Sequence, residues 1–343
     1  MMTTRAEVLS DRPVNVHAVG AYGPLGLSAL QITMCARARK LVPRPTSFVD
    51  KRGESVGVCL ADGIAEDVHG PPRLLALARP ALREAVHRAR IEAIPLVLSL
   101  PEAGRPDDDP CYGEFFVKML AAASEVPIDI ARSRVVRAGH AGGALAMEAA
   151  IALLHGAPAV LVGGVDSYHH PDLLRWLDEE CRLHALDAEN GFIPGEGAAF
   201  ALLSRDRTGR LPAPIAAVLG CASGREESDL HDEPNIAASM TSILGRLLDG
   251  ASTRPGWVLC DVNGERHRVR EWNLCAVRHR LIEGVVTMDA PGDLGDIGAA
   301  TGAMLLALAA VSWSVSAAPS PTALVALSSD AAERGAFLLA EVR

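Results

Sequence analysis

The sequence predicts an α/β protein made of two related lobes, and three observations carry that prediction. Short apolar runs alternate with longer segments whose apolar residues recur at helical spacing. Two junctions of small residues, at 138–143 and 293–302, each lead into an apolar, Ala-rich helix, a weak internal repeat. At 343 residues and 49% hydrophobic, the chain can fill two cores rather than one oversized core. The polar turn at 206–211 is the expected boundary, which gives lobes 1–205 and 206–343.

Residues 14–19 form the first strand, and the turn Gly23-Pro24-Leu25-Gly26 leads into a helix at 27–38. A hairpin-like excursion is expected over 48–60 around Lys51-Arg52-Gly53-Glu54. Leu74, Leu77, Ala78, Leu82 and Val86 place a helix over 71–90, with a kink or break at Pro80. Residues 94–100 are a strand, and Asp107-Asp108-Asp109 reads as a solvated surface turn. A helix at 112–124 precedes the segment 128–137, and a buried helix covers 141–154. Val160-Leu161-Val162 marks a central strand. An exposed helix at 169–180 carries Trp176, and a strand follows at 197–203.

The second half repeats this order less clearly. A strand at 215–223 is followed by a helix at 234–248 with Ile236, Met240, Ile243, Leu244 and Leu247 on one face. Residues 257–261 form a strand ending near Asn263-Gly264, and 269–279 a helix. The junction 293–301 opens the apolar helix 302–310, residues 322–327 form a last strand, and 331–342 read as helix or strand. The charged segments 175–184 and 265–271 read as polar surface, the second able to pair with the acidic run 229–233.

Composition narrows the function. A net charge of −9 and the lack of a basic stripe argue against a nucleic-acid partner. Seven scattered cysteines without a CxxC pair suggest a reducing compartment, and cytoplasm is the expected location. The N-terminus lacks a signal-like apolar segment, and no apolar run is long enough to span a bilayer. P-loop and dinucleotide patterns are missing, so no cofactor is expected. His169, His170, Asp166 and Asp172 lack a four-ligand spacing, so no metal is expected either.

Four segments together resemble the β-ketoacyl-acyl-carrier-protein synthases of the thiolase fold. They are residues 15–26, the junction Arg137-Ala138-Gly139-His140-Ala141-Gly142-Gly143, the strand-turn Val162-Gly163-Gly164-Val165-Asp166, and Gly191-Phe192-Ile193-Pro194-Gly195-Glu196-Gly197-Ala198. The last is the most specific. The resemblance implies duplicated α/β lobes in a layered αβαβα architecture. It also implies a nucleophilic cysteine at the N-terminus of the buried helix, where dipole and backbone donors favour a thiolate and an oxyanion. A gapless alignment puts Gly139 there. The family's two histidine positions align with Asn263 and with Asp296, or Gly295 if the gap is placed differently, within Gly295-Asp296-Ile297-Gly298-Ala299-Ala300-Thr301-Gly302.

Glycine cannot carry an acyl group. The expected function is therefore a degenerate ketosynthase-like protein serving as partner, scaffold, or binder of acyl chains or carrier protein. The alternative is an acyltransferase, decarboxylase or hydrolase acting on acyl thioesters through His140, Asn263 or Asp296. Asn263 and Asp296 can equally serve to tie loops together. A third possibility is an adaptor with a filled pocket. The resemblance further implies a homodimer, or a heterodimer with a related subunit.

Overall fold

The computed structural model describes residues 9–38, 43–90, 92–185, 188–205, 211–227 and 235–342. The expected boundary turn at 206–211 (save Leu211), the acidic run 229–233 and Pro234 lie outside them.

The first half contains β1 (Leu9–Tyr22), α1 (Ala29–Arg37), the hairpin β2 (Arg44–Val49) and β3 (Ser55–Val58), and α2 (Gly70–Val86). It continues through β4 (Leu96–Ser99), α3 (Glu114–Ser124), β5 (Arg134–Val136), α4 (Gly142–Leu153), β6 (Ala159–Ser167), α5 (Pro171–Glu179) and β7 (Glu196–Ser204). The second half contains β8 (Ala216–Arg225), α6 (Ala238–Asp249), β9 (Trp257–Cys260), α7 (Arg266–Arg278), β10 (Val286–Asp289) and α8 (Ala290–Leu294). It ends with α9 (Thr301–Ser314), β11 (Thr322–Ser328) and β12 (Glu333–Glu341).

Ten strands form one hydrogen-bonded sheet in the order β10-β9-β11-β12-β8-β1-β7-β6-β4-β5. Read outward from the β1–β8 junction, both directions show the same senses: two antiparallel pairings, then two parallel ones. The sheet is layered with helices. One core packs α2 and α3 against β1, β4, β6 and β7. Another packs α6 and α7 against β8, β9, β11 and β12. Between them lie α4 and α9, which contribute to the largest core together with both groups of strands. The order of layers is thus αβαβα, the thiolase-like arrangement.

Residues Thr301 to Trp313 of α9 are all buried, as expected for a helix that is apolar on every side. Small residues let the two central helices meet. A Cβ added at Gly143 would lie 2.8 Å from the Gly302 Cα, and the reverse holds equally. That contact fixes the spacing between the N-terminal turns of α4 and α9, which carry the candidate site.

Several expectations need correction. α2 runs unbroken through Pro80. The segment 331–342, left open between helix and strand, is resolved as a strand, because a helix there would leave β8 and β11 without the neighbour that pairs with both. β10 was not expected; it is short and mostly exposed, so no apolar pattern marks it. The acidic run is a solvated turn only in part, with Asp108 exposed and Asp107 turned inward. Asp107 is buried against Arg105, Asp108 pairs with Arg137 at 2.7 Å, and Asp109 accepts from the Cys111 N–H.

Candidate functional site

Gly139 opens a single 3-10 turn, Gly139–Ala141, that runs into α4. Its φ is +53°, in the left-handed region that L side chains avoid. A Cβ there would lie 2.9 Å from Glu102 Oε2 and 3.4 Å from Ser329 Oγ. Glu102 enters from the loop after β4, and its Oε1 accepts from the Ala331 N–H. Burial, and then the like charge of Asp330, push the Glu102 carboxyl up. The place beside Gly139 is thus filled by a carboxyl group.

The other three predicted residues converge next to it. His140 Nε2 lies 2.6 Å from Asp296 Oδ1. Asn263 Nδ2 donates to Asp296 Oδ2 at 2.7 Å and to Glu265 Oε2 at 3.0 Å, while its Oδ1 accepts from the Glu265 N–H. His140 and Asp296 are buried, and Asn263 is nearly so. The loop of Asp296 pairs with the Gly191–Gly197 segment, exchanging backbone bonds with Ile193 and Gly195 at 2.8 Å. Glu196 of that segment faces elsewhere, gripping buried Arg73 and accepting from Ser167 Oγ at 2.7 Å.

Arg268 on α7 is the centre of the surrounding charges and was not anticipated as a site residue. It is 2% exposed. It donates to Asp330 at 2.7 Å, to Asp261 at 3.2 Å, to the Ser328 carbonyl, and to His140 Nδ1 at 3.3 Å. Arg182, after α5, holds Glu265 through two bonds of 2.6 and 2.8 Å and Asp330 through a third of 2.7 Å. The segments read as polar surface, 175–184 and 265–271, therefore contribute Arg182, Glu265 and Arg268 to the interior. A signal was present in the second: Arg268, Glu271 and Cys275 share one helical face, and all three are buried.

Electrostatics follow from these contacts. Burial alone would raise the Asp296 carboxyl, but His140, Arg268 and the Asn263 amide overcome it and hold it at about 2. Burial and Arg268 push the His140 imidazole down, while Asp296 pushes it up and prevails. The bond from Arg268 fits the neutral tautomer, with Nδ1 accepting and Nε2–H donating to Asp296. Protonation would break the first bond and keep the second.

Gly139 has no nucleophile, both His140 nitrogens are engaged, and an Asp296 carboxylate held at about 2 is a feeble base. Three backbone donors near the two junctions are taken too. Gly298 N–H bonds Asp296 at 2.9 Å, Ala299 N–H bonds Asp166 at 2.8 Å, and Ala141 N–H bonds Ser329 Oγ at 2.9 Å. His169 and His170 stand apart: His169 Nε2 lies 2.8 Å from the Glu66 carbonyl oxygen, and His170 caps α5. Glu265, His267 and Asp330 bring ligand atoms within 4.8 Å of one another. Burial and Arg268 press His267 down to about 4. Yet both carboxylates are already held by Arg182 and Arg268, and two guanidiniums so close oppose a metal cation.

The fold is that of the ketosynthases. The ishigamide ketosynthase/chain length factor superposes with a TM-score of 0.71 at 18% identity, over 96% of this chain and 100% of the other. A ketosynthase in complex with its chain length factor from Xenorhabdus doucetiae gives 0.74 at 14%, over 98% and 100%. A type II acyl-carrier protein in complex with its hexaketide-bound ketosynthase gives 0.76 at 14%, over 97% and 100%. No protein-family model and no curated protein sequence matches the chain. Among the described residues no helix is long and apolar enough to cross a membrane.

Proposed function

We propose that this chain is a ketosynthase-like partner subunit without thiol-based condensation of its own, built from duplicated lobes at 1–205 and 206–343. The observation that carries the reading is the Glu102 carboxyl beside Gly139, 2.9 Å from where any side chain would begin. The Glu102 carboxyl stands beside Gly139 and most of the surrounding charges are paired, which favours a framework over a reaction centre. The matching order of strand senses on either side of the β1–β8 junction supports the two lobes.

Its partner is a related ketosynthase, or a second copy, and an acyl carrier protein delivers the chain to the assembly. Two features support this. Several similar structures are complexes of that kind by their descriptions. And β5, the last strand of the sheet, keeps one edge unpaired among the described residues and leads directly to Gly139, so pairing there places a partner next to the junction. The thioester-processing reading would rest on the His140–Asp296 contact, but Arg268 occupies the imidazole nitrogen that a reaction would need.

The test is to incubate the purified chain with malonyl and acyl carrier-protein thioesters, following carbon dioxide release and covalent adducts by mass. Neither is expected from the chain alone, whereas co-expression with a ketosynthase of the same genome should yield a stable complex. Turnover by the chain alone, lost in Asp296→Ala, would overturn the proposal.

A further inference from the structure

The turn of the β2–β3 hairpin docks onto the end of α5 through Lys51. Its backbone N–H donates to Asp178 Oδ2 at 2.8 Å, and its Nζ donates to the Asp178 carbonyl at 3.1 Å. The same Nζ lies 2.9 Å from Cys181 Sγ. The turn is itself braced: Asp50 Oδ1 accepts from the N–H groups of Arg52 and Glu54 at 2.9 and 2.8 Å, and the Gly53 N–H closes on the Asp50 carbonyl at 3.0 Å. On the other side the Cys181 N–H donates at 3.0 Å to the Asp178 carbonyl, the oxygen that also takes Lys51 Nζ. One carbonyl thus brings amine and thiol together, and both partners are held in place before any reaction.

Cys181 is the exposed one of the seven free cysteines, so it is the thiol an oxidant reaches first. Its neighbour across the contact is an amine, the other side chain that oxidised sulfur can bond. Even a bond between two sulfurs is only about 2.0 Å long. A separation of 2.9 Å is therefore too long for nitrogen bonded to sulfur, and it leaves room for one light atom between them.

We infer that Lys51 and Cys181 form an oxidative modification site, at which dioxygen closes a covalent N–O–S link between Nζ and Sγ. In the reaction sulfur and nitrogen each give up two electrons. One oxygen atom of dioxygen becomes the bridge and the other leaves as water, while the ammonium proton passes to solvent. Two molecules of dithiothreitol, each closing to its cyclic disulfide, return the amine and the thiol and release the bridging oxygen as water. The link is reversible, and its position gives it a consequence. Arg182, the next residue, holds Glu265 and Asp330, so oxidation would tie the hairpin to the segment that neutralises both carboxylates. Neither Gly139 nor a partner subunit takes part, so the inference stands or falls independently of the proposed function.

The full chain is held in air-saturated buffer, digested without reductant and read by mass spectrometry. One pair of peptides joined through Lys51 and Cys181 is expected, heavier by one oxygen and lighter by two hydrogens than its parts, and dithiothreitol should separate it. Lys51→Arg, which keeps the charge, and Cys181→Ser should give no joined pair. The linked wild type should melt about 5 °C above its reduced form, because the link closes a loop across 130 positions. Both variants should melt alike with and without dithiothreitol, with circular dichroism verifying their fold. Absence of the joined pair in the wild type, a joined pair lacking the extra oxygen, or the same product in Lys51→Arg would each overturn the inference.

Discussion

Placing a thiol at residue 139 is the sharpest perturbation the structure offers. Gly139→Cys puts an L side chain at φ +53°, which costs ~1–2 kcal/mol by backbone sterics. The new Cβ also begins 2.9 Å from Glu102 Oε2, so that carboxyl must move from its bond with Ala331. Together these suggest a loss of about 2–3 kcal/mol. A chain of 343 residues unfolds with an entropy of roughly 0.7 kcal/mol/K, so the melting temperature should fall by about 3–4 °C. The thiol would be no special nucleophile. The start of α4 favours a thiolate, but the Glu102 carboxyl beside it disfavours one. Iodoacetamide labelling read by peptide mass gives the comparison, with exposed Cys181 as the internal reference. The introduced thiol should react no faster than Cys181 and take no acyl group from a malonyl or acyl thioester. An unchanged melting temperature together with an acyl adduct would refute the reasoning, because Glu102 would then not be occupying the site.

Other perturbations test the network and the frame. Arg268→Met leaves buried Asp261 without its cation and half-buried Asp330 with Arg182 alone, and should cost about 3 kcal/mol in urea unfolding. Asp296, held at about 2 against an ordinary 3.8, contributes stability that is complete above pH 4 and lost as pH falls through 2. Asp296→Asn should remove about 2 kcal/mol of that acid-induced loss, seen by comparing melts of the two proteins across this window. His140, raised above 6.5, contributes in the opposite sense: its share is complete below pH 6.5 and declines at higher pH, so His140→Gln should flatten the alkaline side of the profile. Gly143→Ala forces apart α4 and α9 at a 2.8 Å approach, and a cost above about 2 kcal/mol is expected in thermal melts.

The frame was largely legible because it is written in local patterns. The runs 160–162 and 302–310 read as a buried strand and helix, and each is buried in the structure. The glycine-bearing junctions also read correctly as starts of α4 and α9, since small residues before an apolar helix are a local signal. The site was legible in part. Gly139, His140, Asn263 and Asp296 came from the resemblance, and three of them are directly bonded or adjacent to one another. What was hidden is the ring of charge around them. Arg182 finds Glu265 83 residues away, and Arg268 finds His140 at a separation of 128. Apart from the helical face that Arg268 shares with Glu271 and Cys275, nothing local distinguishes a charge with such a partner from one in water, and so 182 and 265–268 read as surface. Glu102 was hidden for the same reason, as its partner Ala331 is 229 residues distant.

The network also has a consequence for how the chain reaches this structure. Residues after 210 supply four of its carboxylates, Asp261, Glu265, Asp296 and Asp330, against the one guanidinium of Arg268. Arg182 and His140 come from residues before 206. Alone, the later half would gather a repelling cluster of negative charge at the edge of its core. Docking of the earlier half brings the missing cations, so neutralisation must wait for both parts to meet. The two halves are in this way obliged to fold as one cooperative unit, and a fragment ending near 205 or beginning near 211 would lack the counter-charges that make its own interior tolerable.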